Sequence, residues 1–241
     1  MTESRRLPEA IIFDLDDTIV DDSGYVAACW ELACAEGVAP LDGLQSAALM
    51  AAIEQERDWY WSDAARHRDG RLDLRVATSR IVVQALERLG FREPELGCLI
   101  ANHYRGLREE AISLIPRAIE TLEYFRSSGV RLGMATNGSA VGQRAKIERF
   151  ELAQYFDRII VEEEFGVGKP HHEVYQALFS ALGTPPEKTW SVGDNLEWDV
   201  GGPQAFGGYG IWVDVRGEGL PEGADVQPDR IIRSIAELIE S

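Results

Sequence analysis

Four short stretches of this sequence carry side chains that could do chemistry together. The first, Phe13-Asp14-Leu15-Asp16-Asp17-Thr18, closes an apolar run, with Asp14 and Asp16 two residues apart. On an extended strand that spacing puts both carboxylates on one face, although a turn starting here re-aims them. Carboxylates this close repel unless a cation lies between them or one keeps its proton. The pair suits a hard divalent ion with oxygen ligands, such as Mg²⁺, or a nucleophile beside a general acid/base. The second stretch, Ala135-Thr136-Asn137-Gly138, offers a hydroxyl and turn amides to an anion. The third, Gly166-Val167-Gly168-Lys169-Pro170, fixes the backbone around one lysine, whose ammonium can then reach inward. The fourth, Gly193-Asp194-Asn195-Leu196-Glu197-Trp198-Asp199, sets two more carboxylates five residues apart across a loop. Taken singly, each has an ordinary counterpart in an acidic turn, a solvated Asn-Gly turn or a surface lysine.

Each stretch must be positioned by the element before it. Residues 10–15 read as a short buried strand, and similar apolar runs recur at 130–135, 158–161, 189–192 and 210–213. Helical patterns lie between them, over 115–127, 141–149, 172–182 and around 200–206, and a last helix is expected over 229–239. Strands alternating with helices imply an α/β fold with a doubly wound parallel sheet, whose ligands bind at the carboxyl ends of the strands. The interval from Val20 to Ile112 breaks this rhythm, with four helical patterns and no convincing strand. One pattern places Leu74, Thr78, Ile81, Val82, Ala85 and Leu89 on a single face; another groups Leu96, Leu99, Ile100, Tyr104 and Leu107. The remaining two cover 25–37 and 44–61. The expected organisation is a core of residues 1–19 and 113–241 with an inserted helical domain over 20–112.

The order of the motifs carries more than any one of them. Asp-x-Asp, Thr, Lys-Pro and Gly-Asp-x₄-Asp, each at the end of a successive strand, resemble the haloacid dehalogenase superfamily over essentially the whole chain. The helical insert is similar to that superfamily's first class of cap. The stretches 136–138, 167–170 and 193–199 look most like those of nucleoside monophosphate and acylneuraminate phosphatases. The resemblance implies an Mg²⁺-dependent phosphatase acting on a small phosphate monoester through an aspartyl-phosphate. Asp14 would be the nucleophile, and Asp16 would protonate the leaving alkoxide and later deprotonate water. Thr136, with the amides of Asn137 and Gly138, would hold the phosphoryl oxygens, and Lys169 would neutralise charge. The metal group would be Asp14, Asp16 through its backbone carbonyl, and Asp194, with Asp199 acting through water or by fixing Lys169. His171 and His172 depart from the Asp-Pro common in relatives and read as a variation at a helix start, with contact to substrate as the alternative. A phosphomutase uses the same motifs, and a silent binding module would have no need of Asp14 and Asp16 together. The superfamily's dehalogenases lack a carboxylate two residues after the nucleophile, so Asp16 speaks for phosphoryl chemistry.

Charge agrees with a cation-assisted site. The 241 residues hold 24 Lys plus Arg against 41 Asp plus Glu, a formal net charge of −17. Such a field repels nucleic acids and anionic membranes, and an anionic substrate needs local positive charge. No window approaches the ~20 uninterrupted apolar residues of a membrane span. The apolar run at 10–13 is too short for a signal-peptide core, so a cytosolic protein is expected. Cys29, Cys34 and Cys98 form no CxxC pair and are expected to be buried thiols. Within the insert, Trp59-Tyr60-Trp61 precedes Arg66, His67, Arg68, Arg71 and Arg75. Trp61 and Arg66 are the candidate substrate contacts there, one aromatic and one cationic, set against packing aromatics and a solvated mixed-charge face.

Overall fold

The structure, a computed structural model, describes residues 7–39 and 41–240. The chain divides into two compact units, Met1–Asp21 with Ser113–Ser241, and Asp22–Ile112. Among the described residues the first holds eight strands: β1 (Ala10–Phe13), β2 (Val20–Asp21), β3 (Ser113–Leu114), β4 (Arg131–Thr136), β5 (Arg158–Val161), β6 (Thr189–Gly193), β7 (Tyr209–Val213) and β8 (Arg230–Ile232). Six of them form a parallel sheet in the order β5-β4-β1-β6-β7-β8. The central β1 is buried at every position because it is covered on both faces, which is why it reads as an unbroken apolar run. Ala10 and Ile12 pack with Ala135 and Ile160 against Val174, Tyr175, Leu178 and Leu182 of a helix over His172–Leu182. Ile11 and Phe13 are fully buried, and Phe13 meets Phe156 edge-on at 6.5 Å. Each such buried side chain contributes about 2 kcal/mol of transfer free energy.

The interval expected to lack strands opens with one. β2 pairs antiparallel with β3, Val20 opposite Leu114 and Asp21 opposite Ser113, so the two chain crossings between the units run side by side. A two-residue strand carries no period a sequence could display. The expected C-terminal helix is also corrected: residues 230–232 are β8, at the sheet edge beside β7, and only Ile235–Leu238 coil, as a 3₁₀ turn. β8's register against β7 is a tertiary pairing and overrides local helical propensity.

Among the described residues the second unit holds five helices: α1 (Val26–Gly37), α2 (Ser46–Trp61), α3 (Ala64–Leu72), α4 (Leu74–Arg88) and α5 (Pro94–Ala111). Their core includes Trp30, Leu49, Ile53, Ile81, Val82, Leu86, Ile100 and Tyr104, with Trp30 stacked on Tyr104 at 3.5 Å. The α4 stripe is buried through Thr78, Ile81, Val82 and Ala85, whereas Leu99, grouped with the α5 stripe, is 64% exposed. α3 has no counterpart in the sequence reading. Its only buried residue is Gly70, so it has no apolar stripe to detect, and Asp63 starts it by accepting from the Arg66 amide at 2.9 Å. Cys29 and Cys34 are buried, and burial pushes the Cys34 thiol up to about 11. Cys98 corrects the expectation, since it lies on the outward side of α5 and is exposed. Among the described residues no helix is long and apolar enough to cross a membrane.

Candidate active site

The carboxyl ends of β1, β4 and β6 bring the four motifs together. Asp14 follows β1 directly and is held by its amide on the Val192 carbonyl of β6, 2.9 Å. The Lys169 Nζ lies 2.6 Å from Asp14 Oδ1 and 2.6 Å from Asp199 Oδ1, and all three residues are buried. Carboxylate oxygens of Asp14, Asp194 and Asp199 lie within 4.8 Å of one another. Asp199 belongs to a π-helical turn, Leu196–Gly201, whose start is capped by the Asn195 side chain on the amides of Glu197 and Trp198. Its second oxygen accepts from the Asn195 amide at 3.0 Å, so both of its oxygens are engaged. Gly193 is required beside it: a Cβ there would stand 2.3 Å from the Asp199 carboxyl.

This cluster is short of positive charge. Burial, and then the neighbouring carboxylates, raise the Asp14 carboxyl well above its ordinary range, against the pull of Lys169. Asp194 is pushed up to about 7, chiefly by burial and then by Asp199 and Asp17. Burial works against the Lys169 charge, but Asp14 and Asp199 outweigh it and hold the ammonium protonated. One ammonium cannot balance three carboxylates. A divalent cation bound by hard oxygen donors fits that deficit, and the donor set is the kind Mg²⁺ takes.

The remaining motif residues surround this centre. Asn137 ties the lysine loop to the end of β4, donating from Nδ2 to the Lys169 carbonyl at 2.7 Å and accepting from its amide at 2.8 Å. The Gly138 amide, expected at the phosphoryl oxygens, donates to the buried Glu162 Oε2 at 2.8 Å. A Cβ on Gly168 would meet Asn137 and Glu162, each at 2.6 Å, so that glycine lets the two loops close together. Thr136 is buried and its hydroxyl oxygen accepts from Gln143. The Asp16 carboxylate stands outside the Asp14–Asp194–Asp199 group. It accepts from Gln143 Nε2 at 2.9 Å and pairs with Lys146 Nζ at 2.6 Å. Gln143, Lys146 and Glu162 have no distinguishing signal in sequence: the first two are polar residues of a largely polar helix, Ala140–Arg149, and Glu162 is one of three successive glutamates that open the helix Glu162–Phe165.

Trp61 and Arg66 lie in the helical unit and are occupied within it. Arg66 donates to the carbonyls of Tyr60 at 3.1 Å and Trp59 at 2.6 Å, and its guanidinium lies 3.9 Å from the centre of the Trp59 ring. It closes the end of α2. Trp61 packs edge-on against Tyr60 and His67, at 4.9 and 5.5 Å. His171 stands at the N-cap position, without a side-chain capping hydrogen bond, and His172 begins the helix His172–Leu182; both are exposed.

The chain is 25% identical to a glyceraldehyde 3-phosphate phosphatase of Methanocaldococcus jannaschii, covering 96% of each protein. It is 29% identical to a phosphoserine phosphatase of Thermus thermophilus over 95% of this chain and 96% of that one. It is also 26% identical to an (S)-2-haloacid dehalogenase of Pseudomonas putida over 95% of this chain and 94% of that one. Among solved structures, the magnesium-bound HAD-hydrolase YfnB of Bacillus subtilis shares the fold with a TM-score of 0.70 at 24% identity, covering 98% of each chain. The family model of haloacid dehalogenase-like hydrolases matches residues 8–207, and the chain belongs to that family.

Proposed function

We propose that this hydrolase is an Mg²⁺-dependent phosphatase that cleaves small phosphate monoesters through an aspartyl-phosphate on Asp14. The observation that carries the reading is the buried Asp14–Lys169–Asp199 array beside Asp194, with a separate carboxylate, Asp16, held next to it. The relatives named for glyceraldehyde 3-phosphate and phosphoserine support a small phosphorylated metabolite as substrate. A dehalogenase reading also has a relative, but Asp16 supplies what it does not require, a proton donor for an alkoxide.

Asp14 and Asp194 would hold the cation, with the Asp16 backbone carbonyl; Asp199, both of whose oxygens are engaged, fixes Lys169. When bound, Mg²⁺ offsets the negative charge of the carboxylates and the phosphoryl group, so that a dianion can enter the site. An Asp14 oxygen attacks phosphorus, the ester P–O bond breaks, and the leaving alkoxide takes a proton from Asp16. Asp16 then removes a proton from water, which attacks phosphorus; the bond to Asp14 breaks and its carboxylate is restored. Lys169 and the Thr136 hydroxyl face the developing charge on the phosphoryl oxygens. The test is a trapped intermediate. Asp16→Asn should accumulate phosphate on Asp14 from an activated ester, detected as a mass increase on the peptide containing Asp14. Labelling at another residue, or none in a folded variant that still cleaves the ester, refutes the assignment.

A further inference from the structure

The helix Ala140–Arg149 puts two side chains on the Asp16 carboxylate. Gln143 and Lys146 are three residues apart and therefore share a helix face. Gln143 is 5% exposed and spends its amide nitrogen twice, on Asp16 Oδ2 at 2.9 Å and on the Thr136 hydroxyl oxygen. Lys146 takes the other Asp16 oxygen at 2.6 Å. The helix is itself anchored, since Ser139 caps it by accepting from the Gly142 amide at 3.2 Å. Its first turn follows directly from β4, the strand that delivers Thr136.

Asp16 needs such holding. It sits in the tight turn after β1, where the amides of Ile19 and Val20 return to the Leu15 carbonyl and Asp17 adopts a left-handed φ of 56°. The Asp16 side chain is partly open to water. A carboxylate there without partners would be free to rotate between solvent and the acidic cluster.

We propose that Gln143 and Lys146 are positioning residues that set the orientation from which Asp16 serves the leaving oxygen, with Gln143 also fixing Thr136 relative to Asp16. The inference rests on the phosphatase reading and adds two residues of one helix to it. An ion pair that merely stabilised the fold would act on every substrate alike. An orienting pair acts most where the leaving group needs a proton.

Single-turnover phosphorylation with Mg²⁺ separates the two, using p-nitrophenyl phosphate, whose leaving group needs no proton, and a primary alkyl phosphate, whose leaving group does. Lys146→Met and Gln143→Leu should lose about 30-fold on the alkyl ester and about 3-fold on the aryl ester, part of the 10²–10⁴-fold that a general acid contributes. Lys146→Arg should recover most of the alkyl rate, because it keeps a long cationic donor directed at the Asp16 oxygen. The Lys146 side chain is 15% exposed, less deeply buried than Gln143, so its variants report even if Gln143→Leu fails to fold. Equal losses on the two esters, or none on either, overturn the positioning role while the phosphatase reading stands. A wild-type protein that phosphorylates from neither ester overturns both.

Discussion

Lys169 is buried between two carboxylates at 2.6 Å each, so removing it leaves buried charge without a partner. Lys169→Met should destabilise the cation-free protein by about 3–5 kcal/mol, read from denaturant midpoints, and abolish turnover. Unchanged stability would mean the array is not an ion-paired one. Asp194 gives a second handle. Its carboxyl is pushed up from the ordinary carboxylate range to about 7, because burial and then Asp199 disfavour its charge. An acid whose folded value is raised costs stability as it ionises, so the cation-free protein should lose stability as pH rises from about 4 to about 7. A cation must displace that proton, so Mg²⁺ affinity should climb with pH up to about 7 and level off above it. Calorimetry in buffers of different ionisation enthalpy should find proton release on binding at pH 6 and little at pH 8.5; a pH-independent affinity contradicts the assignment. Asp14, Asp16, Thr136, Lys169, Asp194 and Asp199 were legible in sequence because each ends or closely follows a strand-like run. Gln143, Lys146 and Glu162 were not, since their role is to hold other polar groups and nothing in their spacing says so.

At the scale of elements, the site depends on close approaches between loops. Gly193 closes β6 where the Asp199 carboxyl fills the space a Cβ would need. Gly193→Ala should displace Asp199 from Lys169, cost about 1–3 kcal/mol from overpacking, and lower activity more than stability alone explains. A variant with wild-type turnover would show that the Asp199–Lys169 contact is dispensable. In the helical unit, Arg66 secures the end of α2 through two carbonyls and the Trp59 ring. Arg66→Ala should lower stability by about 1–2 kcal/mol and leave the ranking of substrates in a panel intact. A reordered panel would instead mark Arg66 as a substrate contact. The elements themselves were readable wherever burial imposed a period: β1, β4, β5 and the helix His172–Leu182 match their patterns closely. α3, β2 and β8 escaped detection because an amphipathic stripe is missing or the element exists only through pairing with a distant partner.

Across the whole molecule the net charge of −17 frames the chemistry. A dianionic ester approaching this surface is repelled, and at the carboxyl edge of the sheet it meets further carboxylates with Lys169 between them. The family match establishes a haloacid dehalogenase-like hydrolase, and its relatives include both phosphatases and a dehalogenase. The chemistry of the two differs in one demand, since a phosphatase must neutralise a phosphoryl dianion and a haloacid dehalogenase has none to neutralise. The most direct measurement is therefore release of inorganic phosphate from a panel of small phosphate monoesters, with Mg²⁺ and after exhaustive chelation, run beside halide release from 2-haloacids. Phosphate release should disappear on chelation, return with Mg²⁺ and be absent in Asp14→Asn, with no halide released. Phosphate release that survives chelation, or halide release without phosphatase activity, would contradict the Mg²⁺-dependent phosphatase reading.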